Sequence, residues 1–192
     1  MKQNNDPVLT SQSNGSLMRA WPLVFFDSRD GIAILDCKLT NDNPVNIECN
    51  QIYVRILSQL LFGDFNIDQI RSSVTSDIIK EAIDDALLGR KRTFLPKQNG
   101  WVVHGLYFAV LAAVSICPIM EMYDRIIQMK IDPDTTATIA GAVFGAKYHS
   151  TFLEDPEITA LLDVILKVDT NTGNCPRPDI YHPTVHSETP CS

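Results

Sequence analysis

Two acidic side chains and a hydroxyl group lie close together in the sequence at Asp132, Asp134 and Thr135. Carboxylate and hydroxyl oxygens are the ligands that hard divalent cations such as Mg²⁺ and Mn²⁺ prefer, and three of them in a loop-to-helix turn can converge on one ion. The same residues also fit an ordinary helix start, with Asp132 as the N-cap and Pro133 at the first helical position. The spacing alone leaves both a metal site and a helix cap open.

The turn Ser13-Asn14-Gly15-Ser16 is a second candidate site. Where a turn enters a helix, unpaired backbone N–H groups and the positive end of the helix dipole favour a phosphate group. Asn-Gly is also a common turn dipeptide that needs no ligand. The turn therefore predicts either a phosphate-binding segment or a plain chain reversal.

Small residues follow the acidic turn at every fourth position, at Ala137, Gly141 and Gly145. This spacing indicates close helix packing, which would hold the turn rigidly. His104 lies in an apolar stretch and is interpreted as a core histidine. The sequence contains no Walker motif, no nucleophile elbow and no dinucleotide-binding fingerprint.

The composition is that of a globular protein of one domain, with 192 residues, 45% of them hydrophobic and 20% charged. Sixteen Lys and Arg against 23 Asp and Glu give a net charge of −7, which argues against a nucleic-acid partner. Five cysteines without C-x-x-C spacing predict an intracellular protein without a disulfide framework or a zinc knuckle. The polar N-terminus lacks the apolar segment of a signal peptide.

Helical periodicity dominates the chain and predicts an all-α fold. The predicted helices cover residues 51–61, 76–88, 119–129 and 156–168. Gly63 and Gly89 are expected to end the first two. The best candidate for a strand, residues 32–35, is short.

The apolar stretch at residues 101–120 is long enough to suggest a membrane span. His104 and Pro118 interrupt it, so we predict a buried core helix and no membrane partner. Residues 90–100 are predicted to form a basic loop between helices. We expect one helical domain over residues 1–168 and a poorly ordered tail over residues 169–192.

Four stretches, taken in order, resemble motifs of the ADP-ribosylglycohydrolase family. They are Ser13 to Arg19 with Pro22, Leu39 to Val45 with the helix through Tyr53, Gly100 to Leu106, and Asp132 to Ala146. Arg177-Pro178 with Pro183 is similar to a short C-terminal element of the family. The family's N-terminal Thr-Asp-Asp-Thr motif has no counterpart here, so the chain resembles the C-terminal part of the family only, as if truncated at its N-terminus.

The resemblance implies an all-α helical bundle and a two-ion Mg²⁺ or Mn²⁺ site. It further implies a hydrolase that removes ADP-ribose from modified proteins. By position, the metal ligands would be Asp132, Asp134 and Thr135, and the ADP-ribose pocket would be lined by Asn14, Gly15 and Ser16. No catalytic residue is assigned, because the family's acidic residue near the scissile bond belongs to the N-terminal portion.

The acidic turn departs from the family pattern. Lys130 and Ile131 replace two glycines, and Pro133 replaces a threonine. Since Lys and Ile resist positive φ and Pro fixes φ near −65°, we expect either a turn of different shape or a loosely held cation. With only half of the metal ligands found, the alternative is a non-catalytic remnant or one subunit of a split enzyme, completed by a second chain. Such a protein would bind ADP-ribose or act as a helical interaction protein.

Overall fold

The computed structural model describes residues 7–92 and 98–154, and every regular element among them is helical. The elements are α1 (Pro7–Thr10), α2 (Gly15–Arg19), a 3-10 turn (Trp21–Phe25), α3 (Arg29–Lys38), α4 (Pro44–Phe62), α5 (Ile67–Ser72), α6 (Asp77–Leu87), α7 (Val102–Val114), α8 (Ile119–Gln128) and α9 (Pro133–Glu154). The all-α prediction is confirmed.

The strand candidate at residues 32–35 is wrong, because these residues lie inside α3. Ala33 and Cys37 are the buried residues of this helix, whereas Leu35 is exposed. In a strand Leu35 would share a face with both of them, so its exposure fits the period of a helix and not that of a strand. The four apolar residues were too few to distinguish the period of a helix from that of a strand.

Helix α4 begins at Pro44, before the predicted start at residue 51. The side chain of Asn43 accepts a hydrogen bond from the backbone N–H of Val45 at 3.0 Å, and Pro44 occupies the first turn. This Asn-Pro pair is an ordinary helix start signal. The apolar stripe missed it because two core positions of the first turns are held by Asn46 and Asn50.

The predicted helices at residues 76–88 and 119–129 correspond closely to α6 and α8. Gly89 takes φ +62° and Gly63 takes φ +96°, the positive values expected of glycines that end helices. The predicted helix at residues 156–168 and the tail at 169–192 lie outside the described residues, as do residues 93–97 of the basic loop.

Helix α7 forms the centre of the fold. Every residue from Val102 to Ala113 is buried, and the helix packs against α4 and α6. This confirms the prediction of a buried core helix. Among the residues that the structure describes, no helix has both the length and the apolar character needed to cross a membrane.

Helix α9 carries the small residues that follow the acidic turn. A Cβ atom at Gly141 would lie 2.8 Å from the hydroxyl of Tyr123 on α8, so this glycine permits a close contact. A Cβ atom at Gly145 would meet nothing within 4 Å. The predicted close packing therefore holds at Gly141 and not at Gly145.

The chain divides into two compact units, Met1–Tyr148 and His149–Ser192. The division falls within α9, where Tyr148 has the non-helical angles φ −118° and ψ 23°. Everything described below belongs to the first unit. The predicted boundary between residues 168 and 169 lies outside the described residues.

Candidate metal and ligand site

The acidic turn connects α8 to α9 and is held by backbone hydrogen bonds. The N–H of Asp132 donates to the carbonyl of Asn99 at 3.1 Å, and the N–H of Thr136 donates to the carbonyl of Asp132 at 3.2 Å. Lys130 takes φ +53°, so the turn includes a left-handed residue although a lysine stands there. The replacement of a family glycine has therefore not removed the positive φ; it has made this conformation more costly.

The carboxyl group of Asp132 influences that of Asp134. Contact with Asp132, followed by the backbone N–H groups of Thr135 and of Asp134 itself, lowers the pKa of the Asp134 carboxyl. Asp134 is exposed, whereas Asp132 and Thr135 are half-buried. The structure thus brings together two carboxylates at the surface with a hydroxyl-bearing residue beside them.

Asn14 meets Asp132 directly. Its side-chain Nδ2 donates to Asp132 Oδ2 at 3.1 Å, across 118 positions of sequence. Its backbone N–H donates to the carbonyl of Gly100 at 2.8 Å. The two turns singled out in the sequence, the asparagine turn and the acidic turn, are therefore in direct contact.

The third motif, at residues 100–106, closes this site from one side. Ser13 and Trp101 form an antiparallel bridge, and the N–H of Val102 donates to the carbonyl of Gln12 at 2.9 Å. The indole N–H of Trp101 donates to Gln12 Oε1 at 2.8 Å. Together these bonds fix the strand-like segment before α2 against the start of α7.

Ser16 and Gly15 differ in what they offer to a ligand. Ser16 is fully buried, and its hydroxyl accepts from Asn50 Nδ2 at 3.0 Å inside the core. A Cβ atom at Gly15 would meet nothing within 4 Å, so the backbone there is open to an approaching group. The predicted ligand contacts of this turn are thus available at Gly15, while the Ser16 side chain supports the turn from below.

Three buried asparagines that the sequence analysis did not single out anchor the asparagine turn. Asn46 Nδ2 donates to the carbonyl of Ser13 at 2.7 Å, and Asn41 Nδ2 donates to Ser13 Oγ at 3.1 Å. Asn50 holds Ser16 as described above. Asn41 is 2% exposed, and the other two are completely buried. For Asn46 and Asn50 the signal in the sequence was an asparagine at a core position of a helix, where a polar group needs a partner, whereas Asn41 lies in the loop before α4, within the motif at residues 39–45.

A pocket of about 330 Å³ lies beside the site, lined by Gln12, Ser13, Gln98, Gly100 and Trp101. Gly100 connects this pocket to the acidic turn, since a Cβ atom there would lie 3.6 Å from Asp132 Oδ2. Four larger cavities, of about 390 to 800 Å³, have no lining residue from either turn. Of these five cavities, the smallest is the one that adjoins the carboxylates.

His104 lies in the core at the first turn of α7, as predicted. It is 2% exposed, and its ring stands edge-on to that of Trp101 at 5.1 Å between centroids. Burial, followed by the charge of Arg92, lowers the pKa of His104 to about 4, against a weaker opposing hydrogen bond with the backbone of Gln98. The imidazole is therefore neutral at pH 7.

The oxygen donors of the acidic turn fit a hydrated Mg²⁺ or Mn²⁺ ion. Such ions are commonly held by one or two carboxylates, with water or substrate oxygens completing the shell. Over residues 7–92 and 98–154, however, no group of three or more His, Cys, Asp or Glu side chains is placed to hold a metal ion. The turn thus offers part of an ion's coordination shell.

Comparison with known proteins identifies the family. The family model described as ADP-ribosylglycohydrolase matches residues 2–163, which is most of the chain and includes all four motif segments. No curated protein and no solved structure matches the chain. The Arg177-Pro178 element lies beyond the matched residues. With its motifs in order, its helical fold and this match, the chain belongs to the ADP-ribosylglycohydrolase family.

Proposed function

We propose that this protein is a metal-dependent hydrolase that removes ADP-ribose from modified proteins. In this proposal Asp132, Asp134 and Thr135 hold Mg²⁺ or Mn²⁺, and the backbone at Asn14 and Gly15 lies along the ADP-ribose. The observation that carries the proposal is the hydrogen bond from Asn14 to Asp132, which joins the two turns into one site.

The chemistry of ADP-ribose matches what the site offers. The pyrophosphate is an anion, which a helix start favours, and Gly15 lacks a side chain that would block its approach. The reacting ribose has hydroxyl groups that suit a hard cation. The adjoining pocket of about 330 Å³ is large enough for part of such a ligand.

The residues of the chain bind and orient the reactants. A divalent cation, when bound, supplies positive charge next to the ribose oxygens as the anomeric bond loosens. Asp134 is exposed and presents its carboxylate to the solvent side, whereas Asp132 is fixed by Asn14. The carboxylate of Asp134 is the form that binds a cation.

The test is release of ADP-ribose from an ADP-ribosylated protein by the purified full chain, in Mn²⁺ or Mg²⁺ and in EDTA. We expect metal-dependent release that Asp134→Asn abolishes. Asp124→Asn, an exposed aspartate on α8, is the matched control and should retain the activity. Absence of release at high protein concentration, while another member of the family is active in the same assay, would reject the hydrolase.

The alternative is a non-catalytic protein that binds ADP-ribose or a helical partner, or a subunit that a second chain completes. It is favoured by the gathering of only two carboxylates in the part of the chain that the structure describes. Calorimetry with ADP-ribose, with and without Mn²⁺, distinguishes it: heat of binding without any hydrolysis supports the alternative.

A further inference from the structure

Asn14 is almost completely buried and donates two hydrogen bonds within the protein. It is 5% exposed, its backbone N–H donates to Gly100, and its side-chain amide donates to Asp132 Oδ2. A side chain so placed has little surface left for a substrate. Its contacts are with the acidic turn instead.

We propose that Asn14 is a positioning residue, which orients the Asp132 carboxylate for a divalent cation rather than contacting ADP-ribose. The inference rests on the proposed function, because it requires that Asp132 binds the ion. An N–H donor on Oδ2 restricts rotation of the carboxylate and leaves the lone pairs of Oδ1 for a cation. Groups that orient metal ligands in this way typically contribute 10–100-fold to metal affinity.

The donor can serve this purpose because its own segment is rigid. The carbonyl of Ser13 accepts from the buried Asn46, and the hydroxyl of Ser16 accepts from the buried Asn50. Asn14 therefore stands between two residues that are bonded to α4. Gly100 contributes from the other side, where a Cβ atom would already lie in van der Waals contact with both Asn14 and Asp132.

Asp132 and Asp134 differ in how freely they can move. Asp132 is half-buried and bonded to Asn14, whereas Asp134 is exposed and its carboxylate is held by the neighbouring turn alone. Asp132 is thus the ligand whose geometry is set by the tertiary structure, and Asn14 is the group that sets it.

The experiment measures Mn²⁺ binding to the purified full chain by the EPR signal of the free ion, with thermal unfolding in EDTA as a second measurement. Asn14→Ala should raise the Kd for Mn²⁺ about tenfold. Asn14→Leu keeps the number and branching of the side-chain heavy atoms but has no amide, and it should raise the Kd in the same way. Asn66→Ala is the matched control: it removes an exposed asparagine that caps α5 and should leave the Kd unchanged.

The outcomes separate this inference from the proposed function. If Asp134→Asn weakens Mn²⁺ binding while neither Asn14 variant does, the metal site stands and the positioning role is refuted. If the Asn14 variants weaken binding only in proportion to a fall in Tm that Asn66→Ala also produces, the role is structural and the inference is refuted. If the wild-type chain does not bind Mn²⁺ at millimolar concentration, both proposals fail.

Discussion

Gly105 on α7 lies where two other helices cross, and its replacement by alanine should destabilise the protein. A Cβ atom at Gly105 would lie 2.9 Å from Ile139 Cδ1 on α9 and 3.2 Å from Leu17 Cδ2 on α2. The Cβ of Asn14 would be 3.8 Å away. At this crossing α7 therefore contacts both α2, which follows Asn14, and α9, which follows Asp132.

The magnitude follows from two opposing effects. Ile139 and Leu17 are fully buried, so neither side chain can move far, and overpacking of this kind costs about 1–3 kcal/mol. Alanine is favoured over glycine in a helix by about 1 kcal/mol. We expect a net loss of up to about 2 kcal/mol in the free energy of unfolding, which corresponds to a Tm lower by up to roughly 8 °C.

Gly145→Ala is the matched control, because Gly145 is also helical but a Cβ atom there would meet nothing within 4 Å. Only the propensity effect remains, so this variant should gain about 0.5–1 kcal/mol. For both variants, thermal unfolding is monitored by circular dichroism in the presence of EDTA. If Gly105→Ala is as stable as Gly145→Ala, the close approach of α2 and α9 to α7 is incorrect.

Two further predictions concern single residues near the site. Lys130→Gly should raise Tm by about 2 °C, because a lysine with positive φ costs about 1–2 kcal/mol and the greater flexibility of glycine in the unfolded chain offsets about half of what is regained. Lys130→Ala should not raise Tm. Equal Tm values for the two variants would refute the backbone strain at Lys130. The pKa of His104 is about 4 in the folded chain, which is below its value in the unfolded chain. The contribution of the neutral ring to stability is therefore complete above about pH 6.5. As the pH falls toward 4, the free energy of unfolding decreases by at most about 3 kcal/mol through this residue. Urea unfolding at pH 7 and at pH 4.5 should show that the free energy of unfolding falls less for His104→Gln than for the wild type. An equal fall in both proteins would contradict a buried neutral histidine.

The local features of the chain follow from its sequence to a large extent. The ends of α6 and the positive φ of Gly89 agree with the prediction, because the apolar period and a terminal glycine act within a few residues of each other. The acidic turn at the start of α9 could also be predicted, because its three oxygen-bearing residues lie within four positions of the sequence. Where polar residues enter the core, as at Asn46 and Asn50 in α4, the period is interrupted and the predicted start was seven residues late.

The sequence by itself determined that the chain is helical, that its oxygen-bearing residues lie at the start of a helix, α9, and that an asparagine turn leads into α2. Only the tertiary structure decided that these two turns touch, that Ser16 faces the core and that Asn14 is bonded to Asp132. Backbone periodicity is a property of neighbouring residues, whereas contacts across 118 positions depend on how helices pack. At the crossing through Gly105 the packing leaves no room for a side chain, and this close approach fixes the site.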